Sequence, residues 1–567
     1  MKLFKYGLPL AALAMLASCS NDNVDAPGVN PGQQNAKGAN LSLNICLSQT
    51  DGSRTGETYK EGTEAEQDVK SGKVYIFKGA SEDVAKFYEE ADLEFSDWVN
   101  PKDQYLEAVG LAKGKAKLEK AYDKSGSTKY WVMVVLNAAG SYPSLTEDSD
   151  GRTELLQLTS NDYKTTDGFV MTSAPSYLGD TNVSWMSQLS DSWVANQTDE
   201  ESATNVYVQR IAAKVQVLGN PTDNASNYTI TVNGWNLDNI NTESFLLQNV
   251  GTGWKDYANG SRFYAYNPAN NPEHNRIFWG MDVNYDKKDG LQLNYSTSDA
   301  GAAVVPTDVT YKNLSADAYD YCHENTFEVE HMTKDCTTRV IISAKAVPTV
   351  EGYTAADDGS FFKNVDNKIW TIASLKTAIA AILSTESNTY GADAITFKLT
   401  LDKGYSNLAL KAGLGVNLNG TEISDDLYAL VASQLKILGS NLDFYYKGEC
   451  FYDLRVRHFL NGETGLPNTW FIDGETYAKS HVENSKVDGV ATVAGAEAGA
   501  NANNYFLGRY GVVRNNWYEL TINSIADIGS ATPPTPDTTT DDDPEEAKLM
   551  FTVNILSWAK RQHEYNL

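Results

Sequence analysis

Cysteine, histidine, basic residues and long apolar runs are all scarce in this sequence of 567 residues. It has five cysteines, and a chain of this length can build its core without disulfides or metal. Lys and Arg total 46 against 74 Asp and Glu, and the net charge of -28 argues against nucleic-acid binding. No window reaches the roughly 18 apolar residues of a membrane helix. The 32 tyrosines and 11 tryptophans favour a β-rich exported protein.

The first 18 residues have the pattern of a bacterial export signal. Lys2 and Lys5 give the segment a positively charged start. The apolar run that follows, Leu8–Leu16, is too short to cross a bilayer. The run ends in Leu-Ala-Ser-Cys at residues 16–19, which resembles the lipobox of bacterial lipoproteins. The resemblance implies that Cys19 is acylated and that the precursor meets the membrane only through lipid. The alternative is an ordinary secretory signal with an unmodified Cys19.

Alternating strand patterns dominate the rest of the chain. In residues 41–48, Leu41, Leu43, Ile45 and Leu47 share one face, with small or polar residues on the other. Further strands are predicted over residues 73–78, 130–137, 205–217, 228–232, 338–344, 444–460 and 518–525. Helical spacing predicts helices over residues 81–98, 371–383 and 424–438. The fold class predicted is all-β, with two sandwich domains covered by a few minor helices.

The C-terminal tail combines a stiff tether with an isolated strand. Residues 529–547 contain four prolines and a run of acids, so we expect an extended segment of about 3.1 Å per residue. In the strand that follows, Leu549, Phe551, Val553 and Ile555 share one face. Leaving four such side chains in water costs on the order of 6–12 kcal/mol. We therefore expect this strand to pair with a sheet edge, of its own subunit or of another.

Motifs for catalysis are absent from the sequence. It contains no H-E-x-x-H, G-x-S-x-G, Walker A or C-x-x-C motif, so we predict no enzyme activity and no cofactor. Cys322, His323, His331 and Cys336 do not have zinc-finger spacing, and we predict no metal site. A disulfide between Cys322 and Cys336 is favoured, with free thiols or zinc as alternatives. Cys46 and Cys450 are expected to be buried strand residues.

Four strings resemble a known family of fimbrial proteins. Residues 512–525, VVRNNWYELTINSI, are similar to the V-V-R-N-N-x-Y-x-(I/L)-x-I-x-S-I string of type V fimbrial shaft subunits of Bacteroidales, the minor-fimbrium (Mfa-like) family. Residues 447–452, 130–140 and 209–214 resemble its K-G-x-x-Y-Y, V-x-V-V-L-N and E-R-x-x-A-R strings. Ser557 replaces a family proline, and Gln209 and Lys214 replace an acid and an arginine.

The resemblance implies an architecture of two transthyretin-like β-sandwich domains and an extended C-terminal donor strand. The implied divisions are a signal peptide over 1–18, a propeptide over 19–54, domains over 55–220 and 221–529, a linker over 530–547 and a donor strand over 548–567. It also implies polymerisation by strand exchange. An arginine-specific surface protease cuts after the first strand, that strand leaves, and the C-terminal strand of another copy fills the groove.

The implied partners are copies of this chain, accessory anchor and tip fimbrial subunits, the protease, and a host or bacterial surface receptor. The implied location is the fimbrium, with a lipid-anchored precursor at the outer membrane. Arg54 is the first arginine of the chain and lies in the glycine-flanked run of residues 51–56, so we predict cleavage between Arg54 and Thr55. The alternative is a solvated turn arginine.

Two other classes of function remain open from the sequence. One is a monomeric surface lipoprotein that binds glycans through exposed aromatic residues. The other, less favoured, is a lipid-anchored glycoside hydrolase. The tethered C-terminal strand discriminates among the three, because neither alternative needs such a strand.

Overall fold

The structure is a computed structural model that describes residues 39–47, 59–60, 62–96, 109–123, 125–179, 182–196, 203–223, 225–251, 277, 279–285, 295–296, 310–328, 331, 333, 336–401, 405–437, 441–456, 458, 510–533 and 549–558. Cys19, Arg54 and Thr55 lie outside these residues. Strands predominate among the described elements, so the all-β prediction is confirmed. No helix within the described ranges is both long and apolar enough to cross a membrane.

The first part of the chain is organised around a nine-stranded sheet. Its elements are β1 (Asn40–Leu47), β2 (Tyr59–Lys60), α1 (Glu64–Gln67), β3 (Gly72–Gly79), a 3-10 turn (Glu82–Val84), β4 (Lys86–Asp92), β5 (Glu94–Ser96), β6 (Val109–Lys117), β7 (Lys129–Leu136), α2 (Gly151–Gln157), β8 (Thr159–Ser160), β9 (Lys164–Thr165), β10 (Gly168–Phe169), β11 (Met171–Ser173), β12 (Ser176–Gly179), β13 (Asn182–Ser184), β14 (Ser187–Gln188), α3 (Asp191–Asn196) and β15 (Thr204–Arg210). The strand order is β4-β3-β7-β11-β15-β1-β6-β5, and β14 pairs with β7. β1 is therefore an interior strand.

The interior strand β7 of this sheet is buried on both faces, which its sequence explains. Alternate residues of β7 enter two separate cores: Val132 and Val134 pack into one, and Met133 and Val135 into the other. A strand buried on both faces is a continuous run of β-branched, aromatic and aliphatic residues, as here, rather than an alternating one. The predicted strands over residues 73–78 and 130–137 are confirmed as β3 and β7.

The helix predicted over residues 81–98 is wrong. β4 and β5 occupy this segment, and β4 pairs antiparallel with β3. The apolar residues are also compatible with a period of two, because Phe87 and Glu89 are buried while the residues beside them are more exposed. Pairing with β3 decides between the two periods, since it places Phe87 opposite Phe77 in one core.

The rest of the chain forms two facing sheets and an insertion. Its elements are β16 (Ala212–Asp223), β17 (Tyr228–Asp238), β18 (Ile240–Asn241), β19 (Ser244–Phe245), β20 (Tyr295–Ser296), β21 (Tyr319–His323), β22 (Arg339–Pro348), β23 (Phe361–Lys363), β24 (Ile369–Trp370), α4 (Ile372–Leu383), a 3-10 turn (Ala392–Ala394), β25 (Ile395–Phe397), β26 (Tyr405–Leu408), a π-helical turn (Leu410–Leu414), β27 (Val416–Leu418), β28 (Thr421–Glu422), α5 (Asp425–Gln434), β29 (Leu442–Tyr445), a 3-10 turn (Tyr446–Gly448), β30 (Glu449–Arg455), β31 (Asn516–Ile525) and β32 (Leu549–Trp558).

These facing sheets have the orders β2-β32-β31-β16-β21 and β17-β22-β30. They share one core, to which β16 contributes Val215 and Val217, β31 contributes Leu520, and β22 contributes Val340 and Ile342. This is a β-sandwich. The chain passes from the first sheet to the second at Ile211, between β15 and β16, whereas the sequence predicts one strand over residues 205–217.

An insertion between β22 and β30 has its own core. α4 and α5 pack there with two small sheets, β24-β23-β29-β26 and β25-β27-β28. Thr371 caps α4 through a reciprocal capping box with Ser374, and Ser424 caps α5. The helices predicted over 371–383 and 424–438 are confirmed, the second ending at Gln434. Their separate core is not anticipated from the sequence, which predicts helices covering a sandwich.

Candidate functional site

The first strand of the described chain fills a slot in the middle of a sheet. β1 runs parallel to β15 on one side and antiparallel to β6 on the other. Leu43, for example, pairs with Thr204 of β15 and with Gly114 of β6. Removing β1 would therefore expose the backbone of two strands at once and open a groove, here called the β1 groove, between β15 and β6.

Burial of β1 follows its sequence pattern. Leu41, Leu43 and Ile45 are 1%, 0% and 0% exposed and contribute to the core on one side of the sheet, as predicted. Cys46 lies at the opposite parity and is also buried, in agreement with its predicted place in a strand. The backbone of Leu47 pairs with Val208 and Val109. Burial of three such side chains contributes about 5–9 kcal/mol to keeping β1 in place.

The wall of the groove that β6 forms is made of small residues. Leu41, Leu43 and Ile45 lie opposite Ala116, Gly114 and Ala112. A Cβ added to Gly114 would lie 3.3 Å from Leu93 Cδ2 and 3.4 Å from Phe95 Cε1, so the wall is filled from behind by these two side chains. Small cross-strand partners leave room beside the large side chains of the strand in the groove.

Side-chain and backbone hydrogen bonds hold β1 at its beginning and middle. Trp193 Nε1 donates to Asn40 O at 3.0 Å. The Leu118 backbone N–H donates to Ala39 O at 2.9 Å. Asn44 Nδ2 donates to Asn205 Oδ1 of β15 at 2.9 Å. Two of these three bonds are accepted by backbone carbonyls, one in β1 and one in the residue before it, and any sequence placed there can accept them.

The C-terminal strand lies in the second sheet of its own chain. β32 pairs antiparallel with β31 along its length and parallel with the short strand β2. The register places Phe551, Val553 and Ile555 opposite Ile522, Leu520 and Tyr518, which are all buried in the sandwich core. β2 begins at Tyr59, a few residues after the predicted cleavage point, so the two ends of the mature chain would meet on this sheet.

A buried ion pair ties the segment after β2 to both sheets. Glu66 Oε1 lies 2.7 Å from Lys214 Nζ, and Arg210 Nε donates to Glu66 O at 2.7 Å. Tyr321 OH also donates to Glu66 Oε1. Burial opposes ionisation of Glu66, but the hydrogen bonds from Lys214 and Tyr321 outweigh it, and the pKa of Glu66 is lowered. Lys214 Nζ stands 3.6 Å from the ring centroid of Trp517, a cation–π contact.

The VVRNN string connects the two sheets through buried polar groups. Arg514 pairs with Glu324 at 3.0 Å, and both side chains are fully buried. Asn515 has φ 58 and accepts hydrogen bonds through Oδ1 from Arg210 N and Arg210 Nη1, at 3.3 and 3.2 Å. Its backbone N–H donates to Ala212 O at 2.7 Å. Asn515 therefore holds the junction where β15 becomes β16, and Arg514 and Asn515 are both buried rather than exposed for recognition.

The disulfide predicted between Cys322 and Cys336 is not formed in this structure, where both residues are buried. Their surroundings differ, because Cys322 faces the sandwich core from β21 whereas Thr333 Oγ1 donates to Cys336 Sγ at 3.5 Å. Cys450 is a buried strand residue, as predicted. Among the residues that the structure describes, no three His, Cys, Asp or Glu side chains converge as a metal site would require.

The comparisons with known proteins agree with the resemblance at the C-terminal end. Residues 495–564 match the family described as "Major fimbrial subunit protein type IV, Fimbrillin, C-terminal". This range contains β31, β32 and the VVRNN string. The resemblance to fimbrial subunits that the sequence predicts is therefore confirmed, and this C-terminal range is similar to the fimbrillin C-terminal family. No curated protein matches this chain in sequence.

Three solved structures have distant likeness to this chain. A proposed cell adhesion protein from Parabacteroides distasonis is 12% identical, with 92% of this chain and 99% of that chain covered and a TM-score of 0.38. The tip fimbrial protein Mfa3 from Porphyromonas gingivalis is 12% identical, with 92% and 100% covered and a TM-score of 0.29. A fimbrial assembly protein from Parabacteroides distasonis is 16% identical, with 59% and 93% covered and a TM-score of 0.26.

The strand pattern of the sequence does not predict that polar residues are buried where the two sheets meet. Four charged side chains are buried here, although charged residues are ordinarily assigned to the solvent-exposed surface: Glu66, Arg210, Lys214 and Arg514. One signal was present for two of them. Arg210 and Lys214 are the two charged residues of the strand-forming run 205–217, and a charge in such a run needs a partner if it is buried.

Proposed function

We propose that this chain is a structural subunit of a cell-surface fimbria that polymerises by donor-strand exchange and serves adhesion. In this proposal it is exported as a lipoprotein precursor acylated at Cys19 and anchored to the outer membrane by lipid. An arginine-specific protease then cuts between Arg54 and Thr55. The partners are further copies of this chain, accessory anchor and tip subunits, and a surface receptor. The match to the fimbrillin C-terminal family supports the fimbrial role.

One observation carries the exchange mechanism: β1 is an interior strand that precedes the predicted cleavage point. A cut at Arg54 would leave β1 held by noncovalent contacts alone. These are its two ladders, its buried side chains and the hydrogen bonds described above. Once β1 departs, the β1 groove exposes two unpaired strand edges and apolar core surface. Such a surface is refilled by any strand with matching apolar periodicity.

The C-terminal strand has that periodicity. Leu549, Phe551, Val553 and Ile555 repeat the alternate spacing of Leu41, Leu43, Ile45 and Leu47. Within one chain β32 lies on β31, so exchange requires it to leave its own sheet for the groove of a neighbour. The acidic, proline-containing segment before β32 keeps it covalently attached while it does so.

The test begins with purified precursor and a protease that cleaves after arginine but not after lysine. We expect N-terminal sequencing to read Thr55 onward, and a heat-labile ladder to form on a denaturing gel. Arg54→Ala is expected to remain an unpolymerised lipoprotein. Deletion of residues 548–567 is expected to give processed, folded monomers that form no ladder.

Matched controls separate processing from exchange. Arg152→Ala removes another arginine, which lies in the short helix α2, and should leave cleavage and polymerisation intact. Fibres that begin upstream of Leu41 would overturn the role of β1 as the displaced strand. Polymerisation by the truncated chain would overturn the role of the tail as donor.

A second candidate function, glycan binding, is favoured by one surface cavity. A cavity of about 520 Å³ at the β3–β4 edge is lined by Tyr88, Lys78, Lys86, Ser127 and Thr128, among others. The lining also includes Glu147 and Asp148, and an aromatic ring beside hydroxyls and charges of both signs suits a neutral sugar. Isothermal titration with neutral oligosaccharides tests it. Binding that Tyr88→Ala abolishes supports the cavity as a site, and equal heats for both proteins reject it.

A further inference from the structure

We propose that Asn205 of β15 sets the register in which the donor strand of a second copy of this chain enters the β1 groove, by pairing with Asn554 of that copy. The inference rests on the proposed donor-strand exchange and adds to it the alignment of the incoming strand. In this alignment Asn554 takes the place that Asn44 of β1 holds in the structure.

The displaced strand and the donor strand share a string of five residues. Residues 41–45 are Leu-Ser-Leu-Asn-Ile, and residues 551–555 are Phe-Thr-Val-Asn-Ile. Both follow the pattern apolar, hydroxyl, apolar, asparagine, isoleucine. The two strings match in the same chain direction, which predicts that the donor strand runs as β1 does, parallel to β15 and antiparallel to β6.

The asparagine of this string is bound by the groove through its side chain. Asn44 and Asn205 lie opposite each other in the parallel ladder, and Asn44 Nδ2 donates to Asn205 Oδ1 at 2.9 Å. Both side chains are half-buried. Ladder hydrogen bonds are made by any backbone, whereas this bond requires an amide at one position. It can therefore distinguish one alignment of an incoming strand from another.

The alignment of residues 551–555 with residues 41–45, here called the matched register, supplies apolar side chains where β1 has them. Phe551, Val553 and Ile555 enter the three core positions of β1. These positions face the small residues of the β6 wall, so a phenylalanine has room where β1 carries a leucine. The core is therefore refilled by three side chains of the same kind.

The opposite face of β1 is also closed at two positions. Ser42 and Cys46 are 6% and 0% exposed. In the matched register Thr552 takes the position of Ser42 and keeps a hydroxyl there. Leu556 takes the position of Cys46, whose partner on β6 is Gly110, so the larger side chain lies opposite a residue without one.

A shift by two residues, here called the shifted register, would keep the apolar periodicity but lose this fit. It aligns residues 549–553 with residues 41–45. Asn554 then takes the fully buried position of Cys46, away from Asn205. Burying an amide without a hydrogen-bond partner costs free energy. Asn205 therefore favours the matched register over the shifted one.

Inter-subunit disulfides can report the register while the two asparagines stay in place. Ser42 lies opposite Lys115 of β6. The matched register places Thr552 opposite Lys115, and the shifted register places Met550 there. Directly opposed residues of antiparallel strands have Cα atoms about 4.5–5.5 Å apart, which a disulfide can span, whereas a residue two positions along lies about 7–8 Å away.

The experiment oxidises polymers of the protease-treated full-length variants and heats them without a reductant. We expect Lys115→Cys/Thr552→Cys to give a covalent ladder that survives heating. Lys115→Cys/Met550→Cys is the matched control, and we expect a much lower yield from it. Oxidised wild type sets the background, because its cysteines in the described part of the chain are buried.

A double-variant cycle tests the part that Asn205 plays. Asn205→Ala and Asn554→Ala should each speed the dissociation of finished polymers about fivefold, and the double variant should be no faster than either. The effects of Asn205→Ala and Thr552→Ala should instead multiply. Asn220→Ala, at an exposed position of β16, is the control and should keep the wild-type rate. Thermal unfolding of each unprocessed variant verifies that it is folded.

The outcomes separate this inference from the proposed function. A stronger covalent ladder from the Met550 pair, or independent effects of Asn205→Ala and Asn554→Ala, would overturn the matched register while strand exchange stands. The inference also falls if neither cysteine pair cross-links although the wild type forms its heat-labile ladder. If processed wild type forms no ladder at all, the proposed function itself fails.

Discussion

Glu66 Oε1 and Lys214 Nζ lie 2.7 Å apart, with the two side chains only 2% and 1% exposed. Glu66 belongs to the segment just after the predicted cleavage point, and Lys214 belongs to the first strand of the second sheet. The pair thus anchors the beginning of the mature chain at the junction between the two sheets. The beginning of the mature chain pairs with β32 through β2 and is anchored by the ion pair between Glu66 and Lys214. Neither contact involves β1.

Breaking this pair should destabilise the protein strongly, because the remaining charge has no equal partner in the core. We expect Glu66→Gln and Lys214→Met each to lower the free energy of unfolding by about 3–5 kcal/mol. The double variant should lose less than the sum of the two. Urea denaturation followed by tryptophan fluorescence measures all three, and additive losses would show that the two groups do not interact.

The same pair predicts a dependence on pH. The pKa of Glu66 is lowered in the folded protein, so its ionisation contributes stability above the ordinary glutamate pKa. That contribution is lost as the pH falls through the lowered pKa. The difference in unfolding free energy between wild type and Glu66→Gln should therefore shrink on acidification from about pH 6 to about pH 3. A difference that stays constant over this range would contradict it.

Asp282 should act in the opposite direction. Burial raises the pKa of Asp282 to about 7, against hydrogen bonds from Thr326, Asn241 and Asn284 that lower it. The folded state therefore binds a proton that the unfolded state has lost, and the group costs stability as the pH rises from about 4 to about 7. In Asp282→Asn this slope should be flatter than in the wild type. Unfolding curves at several pH values check it, with Asp357→Asn, an exposed aspartate, as the control.

The thiols of Cys322, Cys336 and Cys450 should be unreactive in the folded protein and free after unfolding. All three are buried, and burial raises the pKa of Cys450 to about 11. Thiolates are the reactive species, so alkylation of native protein should be slow. Mass spectrometry should show complete alkylation after denaturation without a reductant. A species two hydrogens lighter that resists alkylation would restore the bridge predicted from the sequence.

Substitutions in the two exchanging strands should have opposite effects on polymerisation. Leu43→Ala removes a fully buried side chain of β1 and should weaken its hold by about 2–5 kcal/mol. After cleavage β1 should leave sooner, so polymers form faster. Phe551→Ala should instead make finished polymers dissociate at a lower temperature. Slower assembly of Leu43→Ala would indicate that β1 is needed in the assembled subunit.

Strand positions were largely predictable from the sequence, whereas sheet membership was not. The alternation of Leu41, Leu43 and Ile45 is a local property, and their burial follows from it. The run of residues 205–217 looks continuous, yet it divides at Ile211 between two sheets because Arg210 and Lys214 require partners from distant parts of the chain. Periodicity over 81–98 fits helix and strand alike, and only pairing with β3 separates them.

Local sequence patterns also could not predict that the insertion has a core of its own. α4 and α5 are predictable from their capping residues and spacing. The apolar faces of α4 and α5 indicate that other elements pack against them, but they do not identify those elements. That this partner is a set of short strands from the same insertion, such as β23 and β29, depends on contacts between residues far apart in sequence.

Ile211 alone separates β15, which borders the β1 groove, from β16, which pairs in parallel with β31. In a polymer joined through the groove, a pull arriving from the neighbour's strand would act on β15 and pass through this one residue into β16. From β16 the force would reach β31 and the C-terminal tether as shear along hydrogen-bonded strands. In this geometry many backbone hydrogen bonds resist the force at the same time. The fibre's tensile strength would then depend on strand ladders and covalent chain, and very little on the packing of one domain against the other.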